Sequence, residues 1–116
     1  MRYLVLYRAA DFSGDYQLRP GELDALRQWC EDMAGRGITL TGSPLAPAQE
    51  ATTVQLKGGE VLRTDGPFAE TKEVVGGFEV LECAGLDEAI DLVSRHPVAE
   101  YGCIELREIR PGEWQE

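Results

Sequence analysis

A chain of 116 residues with 43% hydrophobic and 28% charged side chains is an ordinary globular sequence, long enough to bury a core without covalent staples. Its formal net charge of -10 argues against broad electrostatic binding to nucleic acid or to an anionic membrane surface, and leaves the local charge of a small-molecule site open. Cys30, Cys83 and Cys103 lack CxxC spacing and are joined by a single histidine, so no metal site and no cofactor is expected. Each cysteine sits among apolar neighbours and reads as a small buried hydrophobe. The opening Met1-Arg2-Tyr3-Leu4-Val5-Leu6-Tyr7 is too short for a signal peptide and no apolar run reaches membrane-spanning length. The expected address is therefore cytoplasmic, with no membrane partner.

In chain order, residues 2–8 read as a strand and 9–19 as a polar connection. Pro20 suits a first helical turn, Glu22 and Asp24 suit its dipole, and Leu23, Leu26, Cys30 and Met33 recur at helical spacing, predicting a helix over 20–35. Ile38 to Gly42 is the next strand. Thr52–Lys57 and Glu60–Thr64, joined by Gly58-Gly59, form a hairpin. Val74 to Cys83 is a further strand, interrupted near its start by Gly76-Gly77. A second helix starts after Gly85, with Leu86, Ala89, Ile90 and Val93 as its stripe, and Pro97 stops it after Arg95-His96. Residues 102–109 are the last strand. The order predicts one α+β domain over 1–110, a ferredoxin-like βαβ–βαβ sandwich with a β-hairpin insert, and a tail over 111–116.

The densest cluster of unusual choices is Thr64-Asp65-Gly66-Pro67-Phe68-Ala69-Glu70-Thr71-Lys72-Glu73. Asp, Gly and Pro each shape a turn for a separate backbone reason, and together they hold Asp65 in a rigid bend at a strand end. A carboxylate so placed acts as a general base if a dry pocket raises its pKa, or simply caps its own loop.

Strand alternation assigns Leu4, Leu6, Phe78, Val80, Ile104 and Leu106 to an apolar face covered by the helices. Tyr3, Val5, Tyr7, Glu79, Leu81, Glu105, Arg107 and Ile109 fall on the other. Two helices cannot cover both sides, so a homodimer with facing sheets is expected; the alternative is that the hairpin folds back over the second face.

The motif from Thr64 to Glu73, followed by Gly76-Gly77-Phe78, resembles the YCII-related family and, more closely, its subgroup named for the DGPF motif. Tyr3-Leu4-Val5-Leu6-Tyr7, Leu86-Asp87-Glu88-Ala89, Arg95-His96-Pro97 and Ile104-Glu105-Leu106-Arg107 agree with that subgroup. The resemblance implies a dimeric α+β barrel of ferredoxin-like halves, related in architecture to muconolactone isomerase. In the broader group a helix-start His and a later Asp are proposed as an acid–base pair. Here Glu22 stands where that His would fall, and Gly42-Ser43-Pro44-Leu45-Ala46-Pro47 carries no Asp, so that activity is not carried over. Association of some subgroup members with extracytoplasmic-function sigma factors implies a possible regulatory partner.

The catalytic candidates are Asp65, Glu22 and His96. Glu22 also suits the helix dipole at a first turn, and His96 suits it at a helix end. Tyr3, Tyr7, Pro67, Phe68, Lys72, Gly76, Gly77, Glu79, Glu105 and Arg107 are candidate ligand-binding residues. Gly76-Gly77 has the alternative reading of a strand bulge, and Glu105 and Arg107 that of structural ions. Two functions follow. One is a site for an unidentified small molecule at a dimer cleft, with Asp65 as acid or base. The other is a non-catalytic interaction or regulatory module.

Overall fold

The computed structural model describes residues 1–13, 16–67 and 73–110. Among these residues six strands and two helices follow one another as β1 (Arg2–Ala9), α1 (Glu22–Gly35), β2 (Thr39–Pro44), β3 (Thr52–Lys57), β4 (Glu60–Asp65), β5 (Val74–Glu82), α2 (Leu86–Val93) and β6 (Cys103–Ile109). Short 3-10 turns lie at Ala10–Ser13, Ala48–Glu50 and Pro97–Glu100. Four strands form one antiparallel sheet in the order β2-β5-β1-β6, and β3 and β4 pair only with each other.

Local sequence sets the helix ends. The first turn of α1 carries Glu22 and Asp24, where the positive end of the helix dipole favours them. Its last turn closes in a Schellman motif: the Ile38 amide donates to the Met33 carbonyl at 2.9 Å and the Gly37 amide to that of Ala34 at 3.1 Å. The α2 start is closed by Glu88, whose carboxylate accepts from the Ala84 amide at 3.0 Å.

The expected dimeric α+β barrel is not what these strands form. Among the described residues the four-stranded sheet is open, with β2 and β6 as its edges, and the β3–β4 hairpin stands as a second open sheet. The assignment of faces also needs correcting. In the register, Val5 lies opposite Leu106 and Tyr7 opposite Ile104, which moves Ile104 and Leu106 to the Tyr3–Val5–Tyr7 side. That side is the one under the helices: Val5, Tyr7 and Leu81 form a core with Trp29 and Met33 of α1, Leu92 and Val93 of α2, and Val98. A face with two tyrosines and a glutamate is buried because its polar tips find partners.

The helix stripes shift accordingly. Trp29 and Met33 carry α1 into the core while Leu23 stays exposed, and Ala89, Leu92 and Val93 do so for α2 while Leu86 and Ile90 stay exposed. The indole N–H of Trp29 donates to the Leu92 carbonyl at 2.9 Å and ties the two helices together. Cys30 and Cys103 are exposed and Cys83 is partly buried, so the cysteines are not the buried hydrophobes their neighbours suggested.

The opposite face, with Leu4, Leu6, Phe78 and Val80 half-buried at its centre, is covered by neither helix among the described residues. Arg2–Glu82 and Arg8–Glu105 ion pairs rim it. The β3–β4 hairpin pairs with no strand of that sheet. Instead the molecule is spread out, with a radius of gyration of 16.2 Å, against about 13 Å for a compact chain of roughly this length.

Candidate functional site

Between α1, the β2–β5 edge and the segment after α2 lies a cleft of about 730 Å³. Aromatic and aliphatic side chains wall it, among them Phe12, Tyr16, Leu26, Pro44 and Tyr101. Its floor is polar. Glu79 rises from β5 on the helix-covered side, and its two carboxylate oxygens are held separately: Tyr7 Oη donates to Oε1 at 2.7 Å and Thr39 Oγ1 to Oε2 at 3.2 Å. Burial pushes the Glu79 carboxyl above its ordinary value, and the two hydrogen bonds only partly offset this. Burial, and then the Glu79 charge, drive the Tyr7 phenol up as well, so it remains a donor. Such a carboxyl can hold or release a proton within a ligand's reach.

Two backbone features make room for this floor. Gly42 lies opposite Glu79 in the sheet, and a Cβ there would come within 2.5 Å of Glu79 Cγ and 2.8 Å of the Phe78 carbonyl. At the β1–β5 pairing, Tyr7 faces Gly77 and Arg8 faces Val75, which leaves Gly76 as the extra residue of a β-bulge. A Cβ on Gly76 would strike the Phe12 ring at 2.4 Å, so the bare backbone lets that ring close one side of the cleft. The alternative reading of the glycine pair as a bulge is thus the geometry found, and both glycines also line the cleft.

Glu22 and His96 meet the same cleft. Glu22 accepts from the Tyr16 hydroxyl, from Tyr101 Oη at 2.8 Å and from the Arg19 amide at 2.9 Å. Burial alone would raise its carboxyl; these donors and the Arg19 charge outweigh it and hold the group below the ordinary value. The Arg19 guanidinium also stacks 3.7 Å from the centre of the Tyr101 ring. His96 is buried, stacked on Tyr7 at 4.2 Å between centroids and edge-on to Trp29 at 4.9 Å. Its Nδ1 accepts from the Val98 amide at 3.1 Å, which places the proton of the neutral ring on Nε2. Burial lowers its pKa to about 4, so it does not act as the helix-end cation that its position suggested.

The other candidates scatter. Asp65 ends β4 opposite Thr52, exposed, and lies outside the cleft lining. Its turn is tied to the hairpin base: the Gly66 amide donates to the Ala51 carbonyl at 2.6 Å, and Thr53 Oγ1 to the Gly66 carbonyl at 2.8 Å. Pro67 borders a separate hollow of about 440 Å³ with Arg8, Glu50 and Val74. Tyr3 is buried under the helices, away from the cleft. Glu105 and Arg107 lie on the uncovered sheet face, where Arg8 Nε donates to Glu105 at 3.1 Å. Phe68 and Lys72, like the tail 111–116, lie outside the described residues.

Sequence reasoning missed Thr39, Tyr16 and Tyr101. Tyr101 and Glu22 are 79 residues apart, and nothing in the local pattern of either announces the other. Glu79 did carry a signal: it is the one carboxylate inside the otherwise apolar run Val74–Leu81. Among the described residues no group of three or more His, Cys, Asp and Glu is arranged to hold a metal ion. Among them, too, no helix is long and apolar enough to cross a membrane.

Fold and site together define a small α+β protein whose helix-covered sheet face opens into a cleft with an acidic floor. The chain belongs to the YCII-related family, whose domain model matches residues 1–114. It is also similar to an uncharacterized protein of Rhizobium meliloti (strain 1021), 51% identical over 47 residues. That match covers 40% of this chain and 38% of the relative.

Proposed function

We propose that this YCII-family protein binds a small, largely apolar molecule in the cleft under α1, with Glu79 as the polar anchor on the floor. The observation that carries this reading is Glu79 itself, a carboxylate kept in a mostly apolar hollow with one hydroxyl on each oxygen. Natural cores rarely retain such a group without a use for it. The chemistry it offers a bound molecule is proton exchange, with the neutral His96 Nε2–H and the anionic Glu22 as further polar groups around the same volume. Acid–base work at Asp65 would need a second component brought to the hairpin, since that carboxylate stands in the open. The motif from Thr64 to Glu73 supports placing the chain in the DGPF subgroup of its family.

A thermal-shift screen of small aromatic and aliphatic compounds against three proteins tests the reading. Compounds that stabilise the wild type should also stabilise Asp65→Asn and should lose their effect in Cys30→Trp, which fills the cleft from α1. Stabilisation that survives Cys30→Trp but disappears in Asp65→Asn would place the ligand at the hairpin instead.

A second reading is favoured by one specific observation. Among its described residues the chain carries both a sheet face that no helix covers and a hairpin with Val54, Leu56 and Val61 each at least 65% exposed. A two-stranded hairpin is marginal alone in water and gains from being covered. A second copy of this chain supplies a knob and a face at once, and reciprocal pairing closes the set. Light scattering should then give twice the chain mass; the mass of a single chain at micromolar concentration would remove the idea.

A further inference from the structure

We propose that the molecule held in the cleft is an organic cation, an ammonium group carried on an aromatic or aliphatic body, with its charged end against Glu79. This inference rests on the cleft reading above and names the ligand class for it.

Charge inside the cleft points one way. Its lining contains two carboxylates, Glu22 and Glu79, one neutral imidazole, and no lysine or arginine among the described residues. The nearest cation to those walls among the described residues is Arg19, whose guanidinium is already engaged with Tyr16 and Tyr101, and the whole chain, at -10, repels anions and gathers cations.

The two carboxylates are not equivalent. Glu22 already has two phenol donors, a backbone amide and the Arg19 charge beside it. Glu79 has two neutral hydroxyl donors, one on each oxygen, and among the described residues no ion pair. An ionised carboxylate offers about four lone-pair positions, so each oxygen can take one more donor from the cleft side. A half-buried carboxylate in a mostly apolar cleft favours keeping a proton or acquiring a counter-ion. An ammonium supplies the missing charge and the missing donors together.

The walls suit the same ligand. Tyr16 and Tyr101 stack with centroids 5.9 Å apart, and the Arg19 guanidinium already lies over Tyr101, so this aromatic surface hosts a cation in the resting protein. Tyr7, whose hydroxyl binds Glu79, brings a third ring to the floor.

Isothermal titration of the full chain at neutral pH with phenethylammonium, 2-phenylethanol and phenylacetate tests the proposal, because the three differ mainly in charge. The expected result is that phenethylammonium binds at least about tenfold more tightly than the alcohol, a gain of one charge-assisted contact, and that phenylacetate binds more weakly than either. In Glu79→Gln, which keeps the side chain's size, the preference for the ammonium should vanish while the alcohol stays within about threefold. Asp65→Asn should match wild type. Circular dichroism establishes that the variants are folded. Equal binding of alcohol and ammonium, tighter binding of phenylacetate, or an ammonium preference that persists in Glu79→Gln would each overturn the cation proposal and leave the cleft reading standing. If none of the three binds at millimolar concentration, both fall.

Discussion

Glu79 and Asp65 are strand carboxylates in the same chain, one inside β5 and the other at the end of β4, and their surroundings are opposite. Glu79 stands between β2 and β1 with Tyr7 and Thr39 on its oxygens and a helix above it. Asp65 closes a hairpin whose β4 residues are all exposed, and its turn is fastened by backbone and threonine bonds. The Asp65 corner is rich in sequence peculiarity because a tight turn needs particular residues at consecutive positions. The cleft floor is assembled from three separated strands and shows almost nothing locally. Conspicuous sequence marks backbone geometry here, whereas concentrated polar chemistry comes from tertiary contact.

The contrast can be broken most severely at the support beneath Glu79. Leu81, fully buried two residues farther along the same strand face, should cost about 2–5 kcal/mol when cut to alanine, seen in urea unfolding. No comparable loss is expected anywhere on the hairpin.

Next in size is a pH effect. His96 titrates at about 4 when folded against 6.5 when exposed, so the unfolded chain binds more protons between those values. Its contribution is complete above about 6.5 and is lost as pH falls toward 4, amounting to roughly 3 kcal/mol. Glu79 acts oppositely just above 4.5, because its folded carboxyl keeps its proton longer than the unfolded one. The measurement is therefore the difference in stability-versus-pH slope between wild type and His96→Asn. Asn keeps an acceptor for the Val98 amide and does not titrate, and the wild type should show the steeper rise with pH.

Gly42→Ala sharpens the comparison further. The new methyl would meet the Phe78 carbonyl and Glu79 Cγ, so a loss of about 1–3 kcal/mol is expected, together with weaker binding in the cleft. Calorimetry reads the first and titration the second. Smallest is the hairpin itself: Val54→Ser, at 65% exposure, should change the stability of an isolated chain by no more than about 0.5 kcal/mol. A larger loss that grows with protein concentration would show that a partner covers the arm.

Much of the fold is legible in the sequence, and the reasons are local. Gly58-Gly59 between two β-branched runs specifies the hairpin, and the end of α1 at Gly37 follows from its Schellman turn. The face under the helices was misread because alternation alone gives two sets of residues without saying which is covered. Leu4 and Leu6 look like core and Tyr3 and Tyr7 look amphipathic, yet the tyrosines are inside because Glu79, His96 and the helices accommodate them. The phase of β6 depended on a register that no local signal fixes. The barrel, expected from resemblance, would require closure that the open order β2-β5-β1-β6 does not supply. Of the candidate site, Glu22, Tyr7, Glu79, Gly76, Gly77 and His96 were legible as individual residues. Their grouping, with Thr39, Tyr16 and Tyr101, depends on contacts between distant parts of the chain.

The most direct test of the cleft account is a carbon-detected NMR titration of the side-chain carboxyls, with and without saturating phenethylammonium or 2-phenylethanol. The account predicts that the Glu79 carboxyl titrates above 4.5 in the free protein, and that its signal moves when either compound is added while that of Asp65 does not. A Glu79 carboxyl titrating at or below 4.5 and indifferent to both compounds, with Asp65 responding in its place, would contradict it.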